Sequence, residues 1–319
     1  MTTAMSPAMG NDVHSWLMAG DPAIRWQVAR DLDDAPQDVW EAERARIATE
    51  GWGDALLARQ DRESTWGGGL YTPKWTSSTY TLLLLAQMGL PAVAPARDGA
   101  ALLLDRGVAD DGGVDLSATV RGSETCVTGM ILQVALAFAP DGRVERLVSY
   151  LLAEQMADGG WNCLRRRGAT HSSLHTTINV LEGLQSYVEN RGRRAEAVAS
   201  ASVAGREFLL AHRMYRSHRT GAPIDLRMTR FSFPPRWHYD VLRGLDHFQA
   251  ANAARDERAG DAIDVVRARG RGDRWRLQNT WPGKVFFPLE HRGRPSRWNT
   301  LRALRVLRWW DGANGGPAQ

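Results

Sequence analysis

Glu124, Cys126, Cys163, His171 and His175 lie within one stretch of this 319-residue sequence, and they are the side chains best suited to hold a metal. Thiolate sulfur, imidazole nitrogen and carboxylate oxygen are the donors that zinc accepts in a tetrahedral site. Three of them, Glu124, Cys126 and His175, would leave one position open, where an incoming thiol or water is deprotonated and becomes a nucleophile. Cys163 or His171 in that fourth position would close the site and make it structural. The competing reading is that Cys126 is a small core residue and His175 a hydrogen-bonded imidazole at a helix start.

Three further sets could do chemistry. His238, Tyr239 and Asp240 are consecutive and combine an imidazole, a phenol and a carboxylate, the groups of a proton-transfer site. Tyr80, Trp237, Trp298 and Asn299 would line a pocket, with aromatic faces for an apolar ligand or a cation; Trp237 and Trp298 could equally be packing residues. Arg165, with Arg166 and Arg167, and Arg219, with Arg216 and His218, would capture an anionic head group. The alternative for these arginines is a solvated basic surface.

The charge distribution favours an anionic ligand. Residues 1–160 carry 12 basic and 22 acidic groups, a net of −10, while residues 161–319 carry 28 and 14, a net of +14. Arginines scattered among Leu and Trp, with no finger or basic-zipper spacing, argue against nucleic acid. The longest apolar runs, Thr81 to Leu85 and Met130 to Ala139, are too short to span a bilayer. The N-terminus lacks the charge and apolar pattern of a signal peptide, and two cysteines match a reducing compartment, so the expected location is the cytoplasm. With 43% hydrophobic residues the chain can bury a sizeable core.

The elements that must position these groups recur. Segments of helical character end in glycine turns at Trp66-Gly67-Gly68, Asp111-Gly112-Gly113 and Asp158-Gly159-Gly160-Trp161, with a fainter version at Asp273-Arg274-Trp275. Each turn leads, after a short polar stretch, into an apolar helix. These begin near Ser77–Tyr80, Ser123–Cys126, Ser173–Thr176, Arg236–Asp240 and Arg297–Thr300. Such spacing predicts a helical repeat. Sustained period-two alternation is missing, so little strand is expected. The most apolar helices would form an inner ring and the amphipathic ones an outer ring. A helical hairpin is expected over 11–48, with Asp21 as N-cap and Pro22 in the first helical position. The repeat domain should cover 49–311. A disordered tail is expected over 312–319, as is disorder from Met1 to about Gly10.

Gln155-x-x-Asp158-Gly159-Gly160-Trp161 resembles the repeat motif of squalene and oxidosqualene cyclases, and the wider pattern resembles the prenyltransferase and squalene-cyclase superfamily. The resemblance covers about residues 50–310. It implies an all-α fold, an α/α toroid of about five helical hairpins around a central cavity. Class II terpene cyclases carry an Asp-x-Asp-Asp acid, and Asp31-Leu32-Asp33-Asp34 matches its letters. That segment precedes the repeats, so these aspartates are expected outside the cavity, exposed and dispensable. The zinc-ligand pattern is closest to protein prenyltransferase β subunits, where an acidic residue and a Cys two positions later open one inner helix and a His opens the next. Glu124, Cys126 and His175 follow it, with Glu where the resemblance expects Asp.

The resemblance implies a zinc-dependent transferase or cyclase acting on a small-molecule substrate, anionic or isoprenoid-like. No obligate partner chain is evident in the sequence. Two alternatives are a metal-free terpenoid cyclase-like enzyme using acids such as Asp240, and a non-catalytic toroid that binds an apolar ligand.

Overall fold

The structure, a computed structural model, describes residues 10–119, 121–190 and 192–312. The disorder expected for 1–9 and 313–319 concerns positions outside these, while Gly10 and Gly312 are described. Among the described residues the fold is all-α. The single sheet is a two-residue ladder of Gly270–Arg271 against Arg274–Trp275. No helix among them is long and apolar enough to cross a membrane.

Three short helices, α1 (Asn11–Met18), α2 (Pro22–Asp31) and α3 (Gln37–Ala45), precede five hairpins. The hairpins pair α4 (Gly51–Leu57) with α5 (Ser78–Met88), and α6 (Ala94–Gly107) with α7 (Thr125–Phe138). In chain order α8 (Arg143–Ala153) then leads into α9 (Leu174–Glu189), α10 (Ala195–Ala211) into α11 (Val241–Ala250), and α12 (Gly260–Arg269) into α13 (Arg297–Gly312). Each of these outer helices packs on the inner helix before it, α8 on α7, α10 on α9 and α12 on α11. The second helix of each pair is inner. Helices α5, α7, α9, α11 and α13 pack side by side in chain order, and the first helices lie outside them. Helix α2 closes the ring. It packs against α13, and the Trp26 indole N–H donates to the Met88 carbonyl at the end of α5 (2.8 Å). Asp21 caps α2 as expected, accepting from Ala23 N (2.9 Å), and also accepts from Trp52 N (2.7 Å), which fastens the start of α2 to α4.

The glycine–tryptophan turns have a common physical cause. Trp66, Trp161 and Trp275 each donate the indole N–H to a carbonyl near the end of the preceding outer helix, Leu56, Leu151 and Val266, all at 2.7 Å. Their backbone N–H groups donate to a hydroxyl on the following inner helix: Ser78 (3.1 Å), Thr177 (3.0 Å) and Thr300 (3.0 Å). Val114 occupies the same place in the second hairpin, donating to Thr128 (2.9 Å). Gly159 has φ +89°, and a Cβ there would lie 2.5 Å from the Ala204 carbonyl, so the turn needs glycine on both counts. Trp161→Ala should therefore cost about 3–5 kcal/mol in urea denaturation, while Trp161→Phe, which keeps most of the volume, should cost far less.

Inner helices α7 and α9 make the closest approach. A Cβ on Gly129 would sit 2.5 Å from the Asn179 carbonyl, and one on Gly183 2.5 Å from the Gly129 carbonyl. Backbone contact of this kind explains why both helices are buried on nearly every side.

Candidate functional site

The centre of the ring is charged. Arg243 on α11, 2% exposed, donates to both carboxylate oxygens of Glu182 on α9 (2.8 and 2.6 Å), to Asn179 Oδ1 (3.0 Å) and to the carbonyls of Arg236 (3.2 Å) and His238 (2.7 Å). Arg305 on α13 donates to Asp246 (2.6 Å), Asp31 (3.0 Å) and Gln27 (3.0 Å), and Arg302 also reaches Asp246 (3.1 Å). The remaining cavity among Gln27, Gln133, Glu182, Arg243, Asp246 and Trp298 has a volume of about 180 Å³. An interior crossed by hydrogen-bonded ion pairs offers an isoprenoid little apolar surface. Asp31 belongs to this network, which corrects the expectation that it is exposed. Asp33, bonded to His14 (2.9 Å), and Asp34, paired with Arg308, do lie at the surface.

The residues expected to bind zinc divide into separate contacts. The Cys163 sulfur accepts from Cys126 N at the start of α7 (3.1 Å) and from the Thr176 hydroxyl (3.5 Å). The Cys126 thiol donates to it, which pushes Cys126 up and Cys163 down. Glu124 precedes α7, where burial raises its pKa. His175 Nδ1 accepts the Tyr239 backbone N–H (2.8 Å), leaving the proton of the neutral ring on Nε2. Zinc-bound imidazoles instead donate through their second nitrogen. His171 is exposed, its Nε2 3.4 Å from an Arg219 nitrogen. Among the described residues no three His, Cys, Asp or Glu side chains gather as metal ligands. The residues present do not fit a three-ligand zinc centre.

The proton-transfer candidates are held by structural bonds. Asp240 caps α11, accepting from Arg243 N (2.9 Å) and from the backbone N–H (3.1 Å) and hydroxyl (2.9 Å) of Ser232. Tyr239 is 1% exposed and its hydroxyl has no partner. His238 is stacked between Trp237 (centroids 3.6 Å apart) and Trp281 (3.3 Å). Burial, followed by the charges of His175 and Arg243, lowers its pKa to about 3; burial and Arg243 lower that of His175 to about 4. Both rings are neutral near pH 7.

The ligand-binding candidates scatter likewise. Arg165 pairs with Glu154 (3.0 Å), Arg166 with Glu154 (3.1 Å) and Asp111 (2.5 Å), and Arg216 with Asp261 (2.8 Å). Most of the basic patch is thus engaged internally. Trp298 is buried against Phe233 (4.0 Å, 13°), and Asn299 donates to the Arg276 carbonyl (3.1 Å). Tyr80 is buried under Trp75 (4.8 Å), its hydroxyl 3.4 Å from that of Tyr71.

A pocket that sequence reasoning missed lies off the ring axis, between α4, α5 and the two long connections 212–240 and 270–296. Its volume is about 360 Å³, and Trp75, Leu84, Phe233, Trp281, Phe286 and Phe287 wall it. Trp75 donates its indole N–H to the Pro282 carbonyl (2.7 Å), joining the first hairpin to the last connection. Glu290, also on the wall, turns its carboxylate to the start of α13, accepting from Arg297 N (2.5 Å) and the Ser296 hydroxyl. The available sequence signal was the aromatic–proline clustering of Phe231–Pro235 and Trp281–Pro288, which has no periodicity.

No family model matches the chain. No curated protein matches it either. A crystal structure of a protein from Actinoplanes is similar at 18% identity and TM-score 0.46, over 92% of this chain and 90% of that one. The type II terpene cyclase MstE from Scytonema is also similar. One variant in complex with merosterolic acid A gives 12% identity and TM-score 0.34 over 85% of this chain and 97% of that one. Another, in complex with geranylgeranyl dihydroxybenzoate, gives 12% and 0.33 over 86% and 97%. The ring architecture described above rests on the packing of this chain's own helices.

Proposed function

We propose that the chain is a ligand-binding toroid whose site is the off-axis pocket, and that it takes an apolar small molecule there. The observation that carries this reading is the contrast in lining between the axial space and the off-axis pocket. The axial cavity, and the opening of about 590 Å³ that shares Gln27, Gln133, Glu182, Asp246 and Arg305 with it, are lined largely by polar and charged side chains and crossed by ion pairs. The off-axis pocket of about 360 Å³ is walled by aromatic and aliphatic side chains. That size and lining are typical of small-molecule sites. The Pro- and Gly-rich connection over the pocket belongs to no repeat helix, so its sequence is free to shape a ligand.

Val285, 39% exposed on the pocket wall, provides a test that spares the core. Titration with decanol, followed by tryptophan fluorescence, should show saturable binding near Trp75 and Trp281. Val285→Asp should weaken that binding at least tenfold, about 1.4 kcal/mol, with Tm unchanged. Absence of saturable binding, or binding indifferent to Val285→Asp, would rule the reading out.

A further inference from the structure

The off-axis pocket contains a cation with no ion-pair partner; the one carboxylate on its wall, Glu290, is turned to the start of α13. Arg236 is 7% exposed and lines the pocket, with its guanidinium carbon 5.3 Å from the centroid of the Trp75 ring, itself part of the wall. Among the described residues no carboxylate lies within ion-pair distance of it and no oxygen accepts from its side chain. Other buried arginines of the ring differ: Arg243, Arg302 and Arg305 all hold carboxylates. Burial, opposed in smaller measure by Tyr80, lowers the pKa of Arg236 to about 10, which still leaves it charged at pH 7. A buried, unpaired guanidinium is costly, by several kcal/mol in general, and chains seldom keep one without a partner.

Two independent features mark the same place. The Trp281 indole N–H, also on the pocket wall, is buried with no acceptor. Unsatisfied donors thus outnumber acceptors, since the Glu290 carboxylate is already engaged by Ser296 and Arg297. Arg236 and Trp75, the two residues in cation–π contact, both have positive φ, 59° and 72°. Non-glycine residues in that region carry about 1 kcal/mol or more of strain, and such strain concentrates at binding sites. The Arg236 carbonyl is fixed by Arg243, so the strained backbone is held in place from the ring interior.

We infer that the pocket selects a carboxylate-bearing apolar molecule, with Arg236 as the anchor of its head group. This rests on the reading of the pocket as the binding site. A guanidinium presents a planar fork that fits a carboxylate in two parallel hydrogen bonds. One cation balances one monovalent anion; a phosphate monoester, close to doubly charged at pH 7, would leave charge uncompensated in an apolar pocket. The apolar walls accommodate the body of the same molecule.

Decanoate, decanol and decyl phosphate, titrated separately by calorimetry at pH 7.5, test the inference. The wild-type chain should bind decanoate at least tenfold more tightly than decanol, and decyl phosphate more weakly than decanoate. Arg236→Gln should abolish the preference while leaving decanol affinity within about twofold; Arg236→Lys should retain part of it. Because Arg236→Gln removes an unpaired buried charge, its Tm should not fall, whereas a purely structural arginine would show a loss. Equal binding of decanoate and decanol to the wild type, or a preference that survives Arg236→Gln, would overturn the anchor and leave the apolar pocket standing. Tighter binding of decyl phosphate would overturn the carboxylate assignment. Binding of none of the three would remove both the anchor and the pocket reading.

Discussion

Arg243→Met is expected to destabilise the chain by about 3–5 kcal/mol, a large part of the stability of an ordinary domain. The guanidinium is 2% exposed and makes contacts in three directions: Glu182 on α9, Asn179 on α9, and the carbonyls of Arg236 and His238 ahead of its own helix. Methionine replaces the aliphatic stem but none of the donors. Glu182 would lose its partner while partly buried, and two carbonyls would lose theirs. Lys would fail nearly as badly, because one ammonium cannot reproduce the planar fork. The double variant Arg243→Met with Glu182→Leu should recover part of the loss, since removing both charges avoids the orphaned carboxylate. Chemical denaturation of the four chains gives the coupling energy directly. A double variant no better than Arg243→Met alone would show that the carbonyl contacts, not the ion pair, hold the ring.

Acid should unfold the chain through three histidines, the partly buried His175 and His238 and the buried His247. His175, His238 and His247 have folded pKa values of about 4, 3 and 4, below the ordinary 6.5, with burial the first cause in each. Between pH 6.5 and about 4 the unfolded chain binds protons that the folded chain refuses, so stability falls as pH falls across that window. Each such histidine contributes a slope of up to about 1.4 kcal/mol per pH unit. Asp21, Glu124 and Glu290 act in the opposite sense, because burial raises their pKa and folding favours their protonated forms. His247 separates the contributions. It lies on α11, is 4% exposed, and its Nε2 has no partner. His247→Leu should leave stability at pH 7.5 equal or higher and flatten the acid limb by about one proton. Urea midpoints at pH 7.5, 6 and 5 measure this; an unchanged slope would exclude His247 as a source of acid sensitivity.

The repeat was legible in the sequence because its physics is local. An indole N–H reaches a carbonyl nine or ten residues back, and a backbone N–H reaches a hydroxyl at the start of the next helix. Trp66, Trp161 and the fainter Trp275 obey these constraints, and Val114 shows that the turn survives loss of the indole. Helix type and the inner and outer alternation follow from such contacts and from where apolar residues run unbroken.

The candidate site was less legible, because its elements are joined across the ring. Cys126 and His175 open successive inner helices, yet the first bonds to Cys163 and the second to Tyr239 N. Spacing along the chain placed them at one end of the ring but not with their donor atoms pointing at one centre. Charge shows the same division. Composition established a basic second half, but only tertiary packing decided which arginines are paired and that Arg236 is buried without a carboxylate partner. Arg165, Arg166 and Arg216, conspicuous in sequence, meet carboxylates from neighbouring segments. Arg236, unremarked between two prolines and a tryptophan, is left without one. A positive charge can be read from a sequence, but whether it is neutralised depends on which carboxylate lies within about 4 Å of it, and helices from distant parts of the chain set that distance.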